Sequence, residues 1–225
     1  SYHLPDLRWD KATGSIVGEA ALQAGLDVAL ELGVNSLTMH VPRALSQDME
    51  IYDGDEWRPT EPYKEFQERY THFFAEPLRA GIRLAIENIH NPLDTPVTSA
   101  RLEFATQIDA YIRWIDAVRE AVADVAPEAI GALFDVGHAR NNGGQLDNMQ
   151  PLGDWYMRLG RRILGYHIHQ IGLHPQSGKL ANHLEITSLF SKRISYAGFL
   201  WAWSVHQISR APLFVEVRQT SGRRA

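Results

Sequence analysis

Residues 82–87 read IRLAIE, and their alternation decides the fold. Side chains of an extended strand point to opposite faces in turn. Ile82, Leu84 and Ile86 therefore share one face, and Arg83, Ala85 and Glu87 the other. The same division recurs outward in both directions. Residues 130–136 set Ile130, Ala132, Phe134 and Val136 against Gly131, Leu133 and Asp135. Residues 163–169 set Leu164, Tyr166 and Ile168 against Ile163, Gly165, His167 and His169, and residues 212–218 set Leu213, Val215 and Val217 against Pro212, Phe214 and Glu216. Upstream, residues 35–40 oppose Leu37 and Met39 to Ser36, Thr38 and His40, and residues 1–4 oppose Tyr2 and Leu4 to Ser1 and His3. Each strand has an aliphatic face suited to helices and a smaller or more polar face. Near their C-terminal ends the polar faces finish, in chain order, on His, His, Glu, Asp, His and Glu.

Between these strands lie helical periods. Ser15–Leu32 repeats apolar residues at Ile16, Ala20, Ala24 and Val28 and stops at Gly33. Glu61–Ala80 carries Phe66, Tyr70 and Phe73, with Pro77 expected to kink or end it. Arg101–Val125 places Ile108, Ile112, Ile115 and Val118 inward, and Asp154–Arg162 and Ser195–Ser209 supply two more helices. Pro42–Pro59 and Asn141–Gly153 read as irregular loops. Connections too long for hairpins make the sheet parallel with right-handed crossovers. An open doubly wound sheet would bury both faces under helices and would not want ionisable groups there. A closed barrel explains the pattern, because its inner faces converge at the upper rim. No repeat or linker divides residues 1–225, which read as one domain.

Composition narrows the function. The chain has 225 residues, 22 Lys+Arg against 27 Asp+Glu and a formal charge of −5. That balance disfavours nucleic acid as the main partner. No apolar run reaches the ~18 residues of a membrane span, and no leader opens the chain, so it is expected to be cytoplasmic. With no cysteine, thiol catalysis, disulfides and Cys-ligated metals are excluded.

A single His or Glu at a strand end is usually a satisfied polar residue. Six strands ending this way need another explanation, because converging carboxylates repel one another unless a cation joins them. The expected cofactor is one divalent metal ion, with room for a second. Two Glu, one Asp and one His form an oxygen-rich set suited to Mn²⁺, Mg²⁺ or Co²⁺; extra imidazoles shift it toward Zn²⁺.

LAIEN at 84–88, FDVGHA at 134–139, RILGYHIH at 162–169 and LFVEV at 213–217 together resemble the xylose-isomerase-like TIM barrels. YHLP at 2–5 and TMHVP at 38–42 resemble the second and third strands of that superfamily, which includes sugar isomerases and epimerases, dehydratases and the endonuclease IV branch. The resemblance implies a (β/α)8 barrel whose first strand–helix unit and final helix are missing or trimmed from this chain. It implies that Glu87, Asp135, His167 and Glu216 hold the metal, with His169 the alternative to His167. His138 matches a histidine that touches substrate or a second metal. His3 and His40 match strand-two and strand-three histidines, and His183 a loop histidine, that bind additional metal in the endonuclease branch, where an aspartate stands in place of Ala181. With His169 they are expected to hold a second metal or to contact substrate, and the first two survive in some sugar-type members. Gln170 is a second departure, standing where an acid often follows the strand-six histidine.

The expected activity is isomerisation or epimerisation of a small sugar or related polyol-ketone, with Glu87, Glu216 and His138 catalytic. A zinc phosphodiesterase like endonuclease IV, and a dehydratase of the same superfamily, are the alternatives. Asn88 is expected to bind substrate or to orient Glu87, and Trp57 to wall the substrate or to pack. His90 and His174 read as solvated loop residues, and Trp201 and Trp203 as core.

Overall fold

The computed structural model describes residues 1–91, 102–124, 127–140, 150–173, 180–191 and 193–218. The six alternating segments form β1 (Tyr2–His3), β4 (Ser36–His40), β7 (Arg83–Glu87), β8 (Ile130–Asp135), β9 (Ile163–Ile168) and β12 (Leu213–Val215). They lie side by side in chain order in one parallel sheet. His3 and His167 stand four strand spacings apart, about 19 Å in a flat sheet, yet their ring centroids are 6.5 Å apart. The sheet is therefore strongly curled. Among the described residues no strand pairs with the outer edges of β1 and β12, so the expected closed barrel is here an open, curled sheet.

The concave face explains the curl. Leu133 stands opposite Gly165, and a Cβ on Gly165 would lie 2.8 Å from Leu133 Cδ1. Gly131 is equally constrained, because a Cβ there would overlap the Arg162 carbonyl oxygen. The register between β8 and β9 slips at this point: Ala132 pairs with Ile163 and Leu133 with Gly165. That bulge puts Ile163 on the outer face with Ala132, correcting the strict alternation read from residues 163–169.

Helices cover the convex face. α3 (Glu61–Arg79) starts where the Thr60 hydroxyl accepts from the Tyr63 amide, and buries Phe66, Tyr70, Phe73 and Phe74. It runs through Pro77 and ends two residues later. α4 (Ile108–Ala121) is shorter than its periodic stretch, and residues 102–107 are not helical. α6 (Leu152–Leu159) and α7 (Tyr196–Ser204) form in their expected regions, though α7 ends five residues early. Trp201, expected in the core, is exposed, while Trp203 is half-buried against it. Three buried or half-buried tyrosine hydroxyls reach carbonyls at or next to strand ends: Tyr70 donates to His40, Tyr111 to Ile86 and Tyr196 to His169, each at 2.6 Å. These bonds connect the helical layer to the backbone that carries the site.

Three hairpins depart from the expected pattern. β2 (Arg8–Asp10) pairs with β3 (Ser15–Val17), so α1 begins only at Glu19 and runs to Glu31. Its inward face is Leu22, Gly25, Leu26 and Ala29; Val28, expected inside, is exposed. Gly18 sets this start, with φ +109 and a Cβ position 2.5 Å from the Asp6 carbonyl oxygen. Pro42–Pro59, expected irregular, holds the short helix α2 (Ser46–Met49) and the hairpin of β5 (Glu50–Asp53) with β6 (Glu56–Pro59). The third hairpin joins β10 (Gln170–Leu173) to β11 (Leu180–Leu184). Residues 141–149 and His174 lie outside the described residues.

Candidate metal centre

The register delivers the expected side chains to one place. His40 pairs with Glu87, and Asp135 with His167, while Glu216 directly follows β12. Ligand atoms of Glu87, Asp135, His167 and Glu216 all lie within 4.8 Å of one another. His3, His40 and Glu87 form a second such group, and His138, His169 and His183 a third.

Glu87 is 1% exposed and belongs to two of these groups. Its Oε1 accepts from His167 Nδ1 at 3.0 Å, and its Oε2 accepts from His3 Nε2 at 3.0 Å and lies 3.5 Å from His40 Nε2. His167 Nδ1 also stands 3.0 Å from Glu216 Oε2. Asp135 is divided differently. Its Oδ1 accepts from the His138 amide at 2.6 Å and from His169 Nε2 at 3.1 Å, while Oδ2 is buried without a hydrogen-bond partner. His183 Nδ1 is also buried without one, 3.5 Å from Glu216 Oε2. Such orphaned atoms facing one another cost free energy that a cation would recover. The residues fit a divalent ion: three carboxylates and one imidazole in the first group make a hard, oxygen-rich set, and two imidazoles with Glu87 in the second are suited to zinc.

The imidazoles beside Glu87 are oriented from behind. His3 Nδ1 faces its neighbour's carbonyl, Leu4 O, at 3.0 Å, and His40 Nδ1 donates to Asp6 Oδ1 at 2.9 Å. Both leave Nε2 toward the shared carboxylate. His138 Nδ1 donates to the Asn88 carbonyl at 2.9 Å, which frees its Nε2. Asn88 is used differently from either expectation: its side chain donates to Asp135 O at 3.0 Å and accepts from Asp135 N at 2.8 Å. It splices the ends of β7 and β8 together with one N–H and one lone pair of its amide. Trp57 is not brought to the group; it packs on Tyr63 at 5.5 Å, with the Arg113 guanidinium 4.8 Å above it.

Sequence reasoning missed Asp6 and His90. The only signal for Asp6 was its place three residues after His3. His90 packs against His138 at 4.9 Å between ring centroids. Burial and the nearby His138 push its pKa down to about 4, so it is neutral near pH 7. Beyond Asp6 lies a cleft of about 710 Å³, also lined by Arg8, Trp9, Arg43, Asp48 and Glu103.

Charge follows geometry. Burial alone would raise the Glu87 carboxyl, but hydrogen bonds from His167 and His3 and the charges of His40 and His138 hold it well below the usual carboxylate range. Burial opposes the charge of His167 too, yet its bonds to Glu216 and Glu87 raise its pKa to about 10. In the metal-free protein, the raised His167 contributes stability fully below its ordinary pKa of 6.5, and loses it as pH climbs toward 10. Denaturant unfolding between pH 6.5 and 10 is expected to show that loss, and His167→Gln to flatten it. An equal slope in the variant would show that His167 is not the group titrating. The lowered Glu87 works in the other direction, its contribution disappearing only as pH falls through its depressed value.

No family model matches the chain, and no curated protein matches it. Among solved structures, it is similar to the crystal structure of a sugar phosphate isomerase/epimerase from Parabacteroides distasonis, with 15% identity and a TM-score of 0.45. The match covers 88% of this chain and 58% of that one, so this chain spans less than two thirds of that protein's length.

Proposed function

We propose that the chain is a divalent-metal-dependent isomerase or epimerase acting on a small sugar or related polyol-ketone. One observation carries this reading: Glu87 and Glu216, from the third and sixth strands of the sheet, converge with Asp135 and His167 so that their ligand atoms lie within 4.8 Å. A divalent cation held there supplies Lewis-acid stabilisation of negative charge developing on a substrate oxygen. Glu87 and Glu216 are both held ionised and flank the same imidazole. One removes the proton next to the carbonyl, and the other returns it. His138, with its Nδ1 fixed on the Asn88 carbonyl, holds a substrate oxygen through Nε2. A dehydratase of the same superfamily would share the proton abstraction and then expel a hydroxyl.

The grouping of His3 and His40 on the far oxygen of Glu87 favours a second reading, a zinc phosphodiesterase with two ions sharing that carboxylate. The charge of −5 sets against it a weak electrostatic pull on nucleic acid. The two separate on assay. Protein loaded in turn with Mn²⁺, Mg²⁺, Co²⁺ and Zn²⁺ is incubated in D₂O with a panel of aldoses and ketoses. Deuterium appearing at the carbon beside the carbonyl supports the first reading. Cleavage of a phosphodiester by the zinc form, without exchange on any sugar, replaces it with the second. Under the first reading, the double change His3→Ala, His40→Ala leaves the ion bound and impairs substrate affinity or turnover; under the second, it removes about half of the bound metal. Unchanged metal content and unchanged kinetics would return both histidines to a structural role.

A further inference from the structure

The group of His138, His169 and His183 resembles a third metal position, but its three imidazoles are not equivalent. His138 spends Nδ1 on the Asn88 carbonyl and keeps Nε2 free, and His183 Nδ1 is buried without a hydrogen-bond partner. His169 has no free nitrogen. Its Nε2 lies 3.1 Å from Asp135 Oδ1, and a carboxylate oxygen accepts only if Nε2 bears the proton. Its Nδ1 lies 3.0 Å from the backbone N–H of His183, which needs a bare lone pair there, and 3.1 Å from the Gln170 carbonyl oxygen, which needs a proton. Nδ1 serves one of these at a time, and in either case the bond to Asp135 keeps a proton on Nε2.

The surroundings hold the ring in that bond. His169 is 0% exposed. Gly137 lies flat against its ring, and a Cβ at that position would overlap Cε1 and Nε2. His183 turns its amide toward Nδ1 by adopting φ 56, a left-handed conformation uncommon for a residue with a side chain. Its carbonyl is held from the other side by the Arg218 amide at 2.9 Å. Tyr196 fixes the backbone of His169 itself through its carbonyl.

We infer that His169 is the positioning residue of Asp135: its Nε2–H holds Oδ1 beside the His138 amide, leaving Oδ2, the oxygen with no other partner, as the one offered to a cation. The inference rests on the metal reading of Glu87, Asp135, His167 and Glu216, and it reduces the histidine trio to two available imidazoles.

Two measurements test it. Long-range ¹H–¹⁵N correlation spectra of the metal-free protein report the ring tautomer directly. The expected result is a protonated Nε2 at His169; a bare Nε2 overturns the inference. Co²⁺ titration of the wild type, His169→Gln and His169→Leu then separates positioning from ligation. Gln can still donate toward Asp135, so its ion count should be that of the wild type and its affinity close to it. Leu cannot, and should bind the same number of ions about 10–100-fold more weakly. Loss of one ion in both variants would make His169 a ligand, and wild-type affinity in His169→Leu would remove its positioning role. A wild type that takes up no Co²⁺ would defeat the metal reading instead, and the tautomer spectrum alone would then decide the role of His169.

Discussion

Glu87→Ala is expected to remove bound divalent cation from both groups that contain this residue and to lower turnover by at least about 10²–10⁴-fold. No other side chain belongs to two of the groups. Its two oxygens face opposite ways, Oε1 to His167 and Oε2 to His3 and His40, so one truncation empties both sides. His40 and His167 would also lose a carboxylate that raises their pKa, so they should titrate lower in the variant than in the wild type. Metal content after dialysis against Mn²⁺ or Co²⁺, read by plasma mass spectrometry beside a circular dichroism spectrum, checks the outcome. A folded variant with wild-type metal content would refute the shared-ligand arrangement. Glu216→Ala provides the contrast: it belongs to the first group alone, so the His3–His40 side should keep its ion.

The largest expected loss of stability comes from Trp114→Ala. Trp114 is 0% exposed, and its ring meets Tyr70 at 5.1 Å, Tyr63 at 5.2 Å and Phe104 at 5.7 Å, all edge to face. Removing it leaves a cavity that three aromatic rings, two on α3 and one before α4, cannot collapse to fill. Such truncations cost about 3–5 kcal/mol. For a chain of this size that corresponds to a fall of roughly 6–20 °C in Tm. Thermal unfolding followed by circular dichroism measures it, and a change within about 0.5 kcal/mol would place Trp114 outside the core that stabilises the fold. Because Tyr70 also donates to His40 O, the same variant should loosen the end of β4.

The strands were legible because each carries its own period. Glu87, Asp135 and His167 could be placed on one face before any fold was known, because alternation is a local property. The hairpins were not legible for the opposite reason. Ile16 fits the helical period of Ala20 and Ala24, and only the approach of Gly18 to the Asp6 backbone, a tertiary fact, turns residues 15–17 into a strand. At 50–59 the turn signal was present in Asp53-Gly54, and Gly54 does adopt φ +62, but flanking polar residues obscured the short strands. Parity set His169 beside His167 without revealing that they differ: β9 ends at Ile168, and the returning β11 claims the His169 ring from above. Asp6 and His90 sit in loops, whose side-chain directions no period encodes.

β12 is three residues long, pairs among the described residues with β9 alone, and has all three of its side chains exposed. It nonetheless delivers Glu216. A short edge strand can open without the rest of the sheet unfolding, because little buried surface is lost when it does. Opening of β12 would withdraw Glu216 from the candidate centre while Glu87, Asp135 and His167 stay on or beside strands paired on both sides. How long a cation stays would then depend on that edge, and a bound cation would in turn fasten β12 to the rest of the sheet.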